Sequence, residues 1–371
     1  MAGLVRVLFV VAPFKHTFFL KMIEHFSANI ETSVLVPSYP RIRTTRTQRA
    51  ALKDATGVFF GDGRTRMAIR QFKPHVFYSD NPLYGCQLKL SEHLGNPTIP
   101  MIIHLRGDLW REFFGWVRRS PIRSRLLGTP VHFSSLLGLS LADKVTPICR
   151  WLQKEVRRHL PSKPTEVVYQ GVDPSDFFPS PGLRLAHPAV AIIQNHTVFE
   201  KTLGLLKFAR VVEGLPGVHF YITTGEDVRQ TYLPSVEANF SRFKNAHFLR
   251  GIRHPDGVRR LLTSSDVYAL PSELDCCPTT ILEASLMKKP VLASRVGGIP
   301  EIISEGRTGW SLLNDGPEEW MERITTLTTD TKLSRRLGAE GRKWVASNFG
   351  WEKITPQVER LITQAAEGRL Q

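Results

Sequence analysis

The stretch Val267-Tyr-Ala-Leu270-Pro-Ser-Glu-Leu-Asp275-Cys-Cys-Pro278-Thr-Thr-Ile-Leu-Glu283-Ala-Ser-Leu-Met-Lys-Lys-Pro290-Val-Leu-Ala-Ser294 reads as strand, acidic loop, helix and strand in succession. Its first apolar run stops at Pro271, because proline cannot donate to a sheet ladder. Residues 280–288 carry apolar side chains at helical spacing, and 290–294 is again a short apolar run of strand length. Such a unit predicts two parallel strands joined by a helix that covers them. The alternation continues outward, with strands at 189–194, 219–223 and 246–249 and helices at 202–213 and 256–264. In the first half, strands at 5–11, 32–36, 58–60, 75–79, 99–105, 144–147 and 166–169 alternate with helical stretches such as 17–26 and 149–159. The Pro/Gly-rich link 173–188 separates the two series. The fold class is therefore α/β, with two Rossmann-like doubly wound domains facing a cleft. Ligands are expected at strand-to-helix loops, beyond the carboxyl ends of the strands.

Composition agrees with this. The 371 residues are 42% hydrophobic and 22% charged, which leaves room for two cores and excludes both a disordered chain and a small binding module. Cys86, Cys149, Cys276 and Cys277 form neither a C-x-x-C pair nor a Cys/His ligand spacing, so no zinc site or disulfide framework is expected and a reducing compartment fits. The apolar run 8–12 is too short to span a bilayer and reads as a buried first strand. A cytoplasmic protein without a transmembrane helix is expected. The net charge of +15 is unevenly spread: residues 1–170 hold 25 Lys and Arg against 11 Asp and Glu, and residues 171–371 hold 24 against 23. An excess of +14 in one half points to an anionic partner for that half.

The loop from Pro271 and the helix after it hold the most specific chemistry. Free N–H groups at a helix start, backed by the positive end of the dipole, suit a diphosphate. A carboxylate one turn in, Glu283, can accept hydrogen bonds from a ribose diol. Thr280-Ile-Leu-Glu283 is also a capping-box pattern ahead of an apolar run, and on that tetrapeptide alone both readings stand.

Over a longer span the chain resembles the family-4 glycosyltransferases of the GT-B fold. The resemblance rests on Asp275 and Glu283 separated by seven residues, then Glu283-Ala-x-x-x-x-Lys289-Pro-Val-x-Ala-Ser294 and Gly297-Gly-x-Pro-Glu301. It also rests on Ala142-Asp-Lys-Val145, Gly171-Val-Asp173 with Phe177, Asp266-Val267 and Gly309-Trp-Ser-Leu-Leu-Asn-Asp315 in the family's order. It implies an acceptor-binding domain at 1–180, a nucleotide-sugar-binding domain at 181–345, and a closing helix at 346–371 that crosses back to the first domain. It implies further that Glu283 holds the donor ribose, that Asp275 meets hydroxyls of the donor sugar, and that Thr279, Thr280 and Ile281 offer N–H groups to the diphosphate. Asp275 is one methylene shorter than the Glu more usual there.

At the end of the second domain's first strand, Gln194-Asn195-His196 leads to Lys201. By the resemblance, an Arg and a Lys five residues apart would neutralise the departing diphosphate. Lys201 fits, while His196 takes the Arg position and lacks the bidentate guanidinium; Asn195 is its neighbour on the donor side. His196 reads either as a phosphate or sugar contact or as a histidine that stabilises the turn. No cluster of the D-x-D type is placed to hold Mg²⁺, so no metal and no cofactor are expected, with the nucleotide sugar as donor substrate.

On the acceptor side, Lys15 and His16 follow the first strand, and Arg106-Gly107-Asp108 falls where the family carries a His-Gly or His-Asp loop. Arg106 can stabilise negative charge but cannot act as a base, which suits the front-face, retaining mechanism attributed to the family. With Asp275 and Lys201 it completes the expected catalytic set. Two basic stretches account for most of the +14. One is Arg41 to Arg49 with Arg64, Arg66 and Arg70. The other runs from Trp110 to Leu127, mixing Trp116, Phe113 and Phe114 with Arg118, Arg119, Arg123 and Arg125 as segments lying in a membrane interface do. An ordinary solvated face with core aromatics is the other reading of each stretch. No recognised nucleic-acid motif accompanies the charge.

The sequence thus predicts a retaining, metal-independent glycosyltransferase. It would move a sugar from a UDP- or GDP-sugar to a membrane-associated or phosphorylated glycan or lipid-linked acceptor, at an anionic membrane surface on the cytoplasmic face. A GT-B-fold epimerase, a phosphorylase and a non-catalytic nucleotide-sugar-binding relative are the alternatives. The basic first half and the chain length argue against the first two.

Overall fold

The computed structural model describes residues 4–11, 16–36, 58–60, 65–93, 99–119, 122–224 and 231–370. The elements of the first half are β1 (Val5–Val10), α1 (His16–Glu24), β2 (Ile30–Val36), β3 (Val58–Phe60), α2 (Thr65–Phe72), β4 (Val76–Ser79), α3 (Pro82–His93), β5 (Met101–Leu105), α4 (Leu109–Arg119), α5 (Ile122–Leu141), β6 (Lys144–Pro147) and α6 (Arg150–His159). The second half contains β7 (Ala189–Ile192), α7 (Phe199–Gly214), β8 (His219–Thr223), α8 (Leu233–Phe240), β9 (Ala246–Leu249), α9 (Asp256–Ser264), β10 (Val267–Leu270), α10 (Thr279–Leu286), β11 (Val291–Ser294), α11 (Ile299–Ile302), β12 (Gly309–Leu312), α12 (Pro317–Thr329) and α13 (Thr331–Phe349), and the chain closes with α14 (Trp351–Ala366).

Both sheets are parallel and share one strand order. The first runs β3-β2-β1-β4-β5-β6 and the second β12-β11-β10-β7-β8-β9, which is the same 3-2-1-4-5-6 winding met from the opposite edge. Each sheet therefore has one switch point, between β1 and β4 in the first and between β7 and β10 in the second. In the first sheet Val7 pairs with Thr32 on one side and Val76 on the other. In the second, Val190 lies between Phe220 and Val267. Residues 166–169, which read as a strand, lie alongside β6 without becoming one. Glu166 and Val168 donate to the carbonyls of Val145 and Pro147 at 3.2 and 3.1 Å, but the segment does not extend the sheet.

The chain forms two compact units, residues 1–171 with 351–371, and residues 172–350. The link after Gly171 belongs to the second unit because that unit holds its backbone: Val172 N–H donates to Phe349 O at 2.8 Å and Arg342 Nη1 to Phe177 O at 2.8 Å. The last helix belongs to the first unit. Its Trp351, Ile354, Val358, Leu361, Ile362 and Ala365 pack against Val5, Val7, Phe9, Val76 and Tyr78 of β1 and β4. At Gly171 a Cβ would stand 2.3 Å from the Trp351 ring, so a side chain there would drive the helix off the sheet. The second core gathers Val190, Ile192, Leu205, Phe208, Phe220 and Trp320, with the Trp320 indole N–H satisfied by Leu313 O at 2.9 Å.

Candidate active site

The candidate site is built at the switch point of the second sheet, where the loops after β7 and β10 leave adjacent strands. The β10 loop is pinned before it reaches its acidic residues. Ser272 N–H donates to Ser294 Oγ at 2.7 Å, and Asn314 Nδ2 donates to Ser272 O at 2.7 Å. Helix α7 passes so close that a Cβ on Gly204 would meet Ser272 Cα at 2.5 Å. On the far side Gly297, at φ +54°, lies where a Cβ would come within 1.9 Å of Asp275 O, and Gly298 N–H donates to that oxygen at 3.1 Å. The Gly297-Gly298 pair thus fixes the Asp275 backbone, since only glycine adopts that conformation at that distance without strain.

Asp275 is 9% exposed. Its Oδ1 accepts from Cys276 N–H at 3.0 Å and its Oδ2 lies 2.7 Å from Lys201 Nζ. The two groups assigned separately to sugar and diphosphate are therefore paired with one another. Cys276 and Cys277 are buried beside them, neither in a disulfide.

Helix α10 begins at Thr279 with Pro278 as an extended N-cap that makes no side-chain cap. Its first N–H groups, on Thr279, Thr280 and Ile281, precede the turn at which intrahelical bonding becomes complete, with Ile281 N–H closing a tight turn onto Pro278 O at 3.2 Å. Thr280 is the second residue of the helix and its hydroxyl accepts from Tyr268 OH at 2.6 Å. Burial raises the Tyr268 phenol well above its ordinary value, so it stays protonated as that donor. The capping-box reading is excluded, because a box would need Thr280 at the N-cap with Glu283 turned back to it. Instead Glu283, 3% exposed, presents Oε1 to His254 Nε2 at 3.2 Å. His254 escaped sequence reading; it lies in the loop between β9 and α9, a strand-to-helix loop of the kind that carries ligand contacts.

His196 is fully buried, with Nε2 on Thr223 O at 3.0 Å. Burial lowers its pKa, so it is a neutral ring that donates to a carbonyl and ties the β7 loop to the end of β8. Of its two sequence readings, the structure gives it the turn-stabilising one. A second tie is Gln194 N–H to Thr223 Oγ1 at 3.3 Å. Asn195 closes an Asx turn, its Oδ1 accepting from Thr197 N–H at 2.9 Å. Lys201, in the first turn of α7, is left as the cation of this loop turned toward Asp275.

The first unit places its expected residues differently. Arg106 follows β5 and is half-buried, close enough with Asp80 to act electrostatically on the buried Tyr78 phenol. Asp108 is 1% exposed, and its Oδ1 accepts from Trp110 and Arg111 N–H at 3.1 Å each while its other oxygen lies 3.5 Å from Arg111 Nε. Its carboxylate is committed to capping α4, and desolvation raises its pKa. That corrects the expectation of Asp108 as an acceptor contact. Lys15 and the His16 side chain lie outside the described residues, as do the basic stretch from Arg41 to Arg49, Arg64, and the side chains of Arg66, Arg123 and Arg125. Arg118 and Arg119 are exposed in the last turn of α4, and Trp116 is half-buried with its ring 6.0 Å from Phe113.

The chain is similar to several known proteins. Residues 198–330 match the family described as glycosyl transferases group 1. The alpha-maltose-1-phosphate synthase of Mycolicibacterium smegmatis is 23% identical over 308 residues, 76% of this chain and 74% of that one. Among solved structures, a sucrose-phosphate synthase from Thermosynechococcus elongatus superposes with a TM-score of 0.75 at 14% identity, covering 98% of this chain and 100% of that one. The Anabaena protein HepE, solved with UDP-glucose, does so with a TM-score of 0.75 at 15% identity over 97% and 99% of the two chains. Residues 198–330 thus resemble the glycosyl transferases group 1, and the chain is a glycosyltransferase built on the GT-B fold.

Proposed function

We propose that the protein is a retaining, metal-independent transferase of family-4 type. It would move a sugar from a UDP- or GDP-sugar to a membrane-associated or phosphorylated glycan acceptor, in the synthesis of a cell-surface glycan, glycolipid or polysaccharide at the cytoplasmic face of a membrane. The observation that carries this reading is the buried Glu283 carboxylate one turn into α10, with Asp275, paired to Lys201, in the loop that leads into that helix. A carboxylate held 3% exposed beside a helix start is an acceptor for a ribose diol whose diphosphate rests at the helix tip. The relatives' own ligands agree with a nucleotide sugar, since HepE was solved with UDP-glucose.

In this mechanism the N–H groups of Thr279 and Thr280 and the Lys201 ammonium take the diphosphate, Ile281 N–H being held on Pro278 O, and Asp275 orients the sugar hydroxyls. The bond from the anomeric carbon to the diphosphate oxygen breaks, and the acceptor oxygen bonds to that carbon from the same face. The acceptor proton passes to the departing phosphate oxygen, so no side-chain base is required. Lys201 stabilises the charge that develops on the leaving group, the kind of contribution that dominates transition-state stabilisation. Arg106 adds positive charge on the acceptor side.

The test is turnover against a panel of UDP- and GDP-sugars, read as donor hydrolysis and as transfer, with Glu283→Ala as control. Turnover with at least one donor, lost in Glu283→Ala, is expected. Nucleotide binding without turnover on any donor would indicate the non-catalytic relative, a reading the neutral His196 favours. Epimerised donor without transfer would indicate an epimerase.

A further inference from the structure

Among the described residues, five of the nine large hydrophobic side chains left exposed fall within one short stretch, 114–137: Phe114 at 55%, Ile122 at 73%, Val131 at 44%, Phe133 at 65% and Leu137 at 45%. The cause is the packing of α5. One face of that helix is pressed onto α3 so closely that a Cβ on Gly138 would stand 1.8 Å from Pro82 O, and Ser135 and Leu139 are buried along that face. Phe133 and Leu137, four residues apart and so one above the other on a helix, stand on the opposite side. Charge does not relieve this exposure, because residues 126–142 contain no Asp, Glu, Lys or Arg. Helix α4 is joined to the same region by the Phe113 ring, stacked on His132 at 3.6 Å between centroids and 6° between planes. Six arginines precede the uncharged run between 106 and 125, against the two acids Asp108 and Glu112, and Asp108 is buried in its cap.

We propose that this face of α4 and α5 docks onto an anionic lipid bilayer, with Phe114, Phe133 and Leu137 entering the interface and Arg118 and Arg119 lying at the level of the headgroups. Exposed aromatic and aliphatic side chains beside guanidinium groups are the composition of an interfacial amphipathic surface. A bilayer is favoured over a second copy of the chain by charge. A second copy would bring the same positive excess of residues 1–170 against this one, whereas an anionic surface is attracted by it. A solvent-exposed apolar cluster of this kind on a soluble unit marks an interaction site. The inference deepens the membrane-associated acceptor reading and rests on it for its biological meaning, but the binding it describes requires neither donor nor turnover.

Flotation of the whole protein with phosphatidylcholine vesicles, with and without phosphatidylglycerol, tests it. Wild type is expected to bind the phosphatidylglycerol vesicles much more tightly than phosphatidylcholine alone, with a part that high salt releases and a part that it does not. Phe133→Ser with Leu137→Ser should weaken binding by about tenfold or more and abolish the salt-resistant part, and Arg118→Gln with Arg119→Gln should remove salt-sensitive binding. Both variants should keep wild-type nucleotide-sugar turnover in solution, and Glu283→Ala should keep wild-type vesicle binding. Full turnover without vesicle binding would overturn the docking face and leave the transferase reading standing. Unchanged binding in the Phe133 and Leu137 double variant would overturn insertion, and a concentration-dependent dimer dispersed by the same substitutions would assign the face to a second copy.

Discussion

Replacing Asp275 by Asn should separate two events that the wild-type pair links. In the free protein Lys201 Nζ is held 2.7 Å from Asp275 Oδ2, with the side chains 31% and 11% exposed. A charge-assisted hydrogen bond is worth about 1.5–3 kcal/mol when well shielded, and the solvent access of Lys201 brings this closer to about 1 kcal/mol. A diphosphate that recruits Lys201 must overcome that contact. Asn keeps the side chain's shape and its acceptor for Cys276 N–H, but gives up the charge. The variant should therefore bind UDP or GDP alone about fivefold more tightly, since 1.4 kcal/mol is tenfold. Transfer should fall by about a hundredfold or more, because the carboxylate proposed to orient the sugar is gone. Calorimetric titration of wild type and variant with both nucleotides, beside initial rates with the preferred donor, reads the two effects separately. Unchanged or weaker nucleotide affinity would refute the idea that Asp275 restrains Lys201, and wild-type turnover would remove Asp275 from the sugar site.

Three other perturbations have definite outcomes. Gly297→Ala places a side chain at φ +54° and 1.9 Å from Asp275 O, so thermal unfolding should shift down by the equivalent of about 2 kcal/mol or more and donor affinity should fall with it; a wild-type melting curve would contradict the role given to that turn. Asp108→Ala should cost about 1–2 kcal/mol in denaturant unfolding as the α4 cap is lost, while Asp108→Asn, which keeps an acceptor and removes a buried charge, should cost less, and turnover per folded molecule should be unchanged in both. His196 has its pKa lowered by burial. Its unfolded form takes up a proton near pH 6.5 while the native form does not, so its contribution to stability is present above that pH and is lost as pH falls below it. Urea midpoints of His196→Gln and wild type, compared across this range, should show a flatter acid limb in the variant, and parallel curves would refute the assignment.

Much of the architecture was legible because buried parallel strands must be nearly continuous apolar runs, and their ends are marked by Pro271, by the link at 173–188 and by helix-period stretches. Residues 166–169 misled for the same reason. An apolar run alongside a strand has strand composition whether or not it extends the sheet. Glu283 was legible as a candidate through its spacing from Asp275 and its place one turn into a helix, and the structure adds that its carboxylate is buried beside His254. His254 was not, because the contact at 3.2 Å joins a loop to a helix 29 residues further along the chain. Nor did the charge-free run 126–142 announce itself, since apolar residues in a helix ordinarily read as core; only the packing of α5 on α3 turned Phe133 and Leu137 outward.

The sequence by itself determined the order of strands and helices, the division of charge between the halves, and the acidic loop and helix start proposed to carry the donor chemistry. These depend on periodicity, composition and short spacings, which are local properties of a chain. Tertiary structure decided that Lys201 and Asp275 neutralise each other, that His196 is a buried neutral tie, that Asp108 caps a helix, and which face of α5 remains uncovered. Each depends on the winding that brings distant loops to one edge of a sheet and on which side chains are thereby shielded from water. Burial and distance set the charge and the partner of every one of these groups, and neither quantity exists until the sheets have formed.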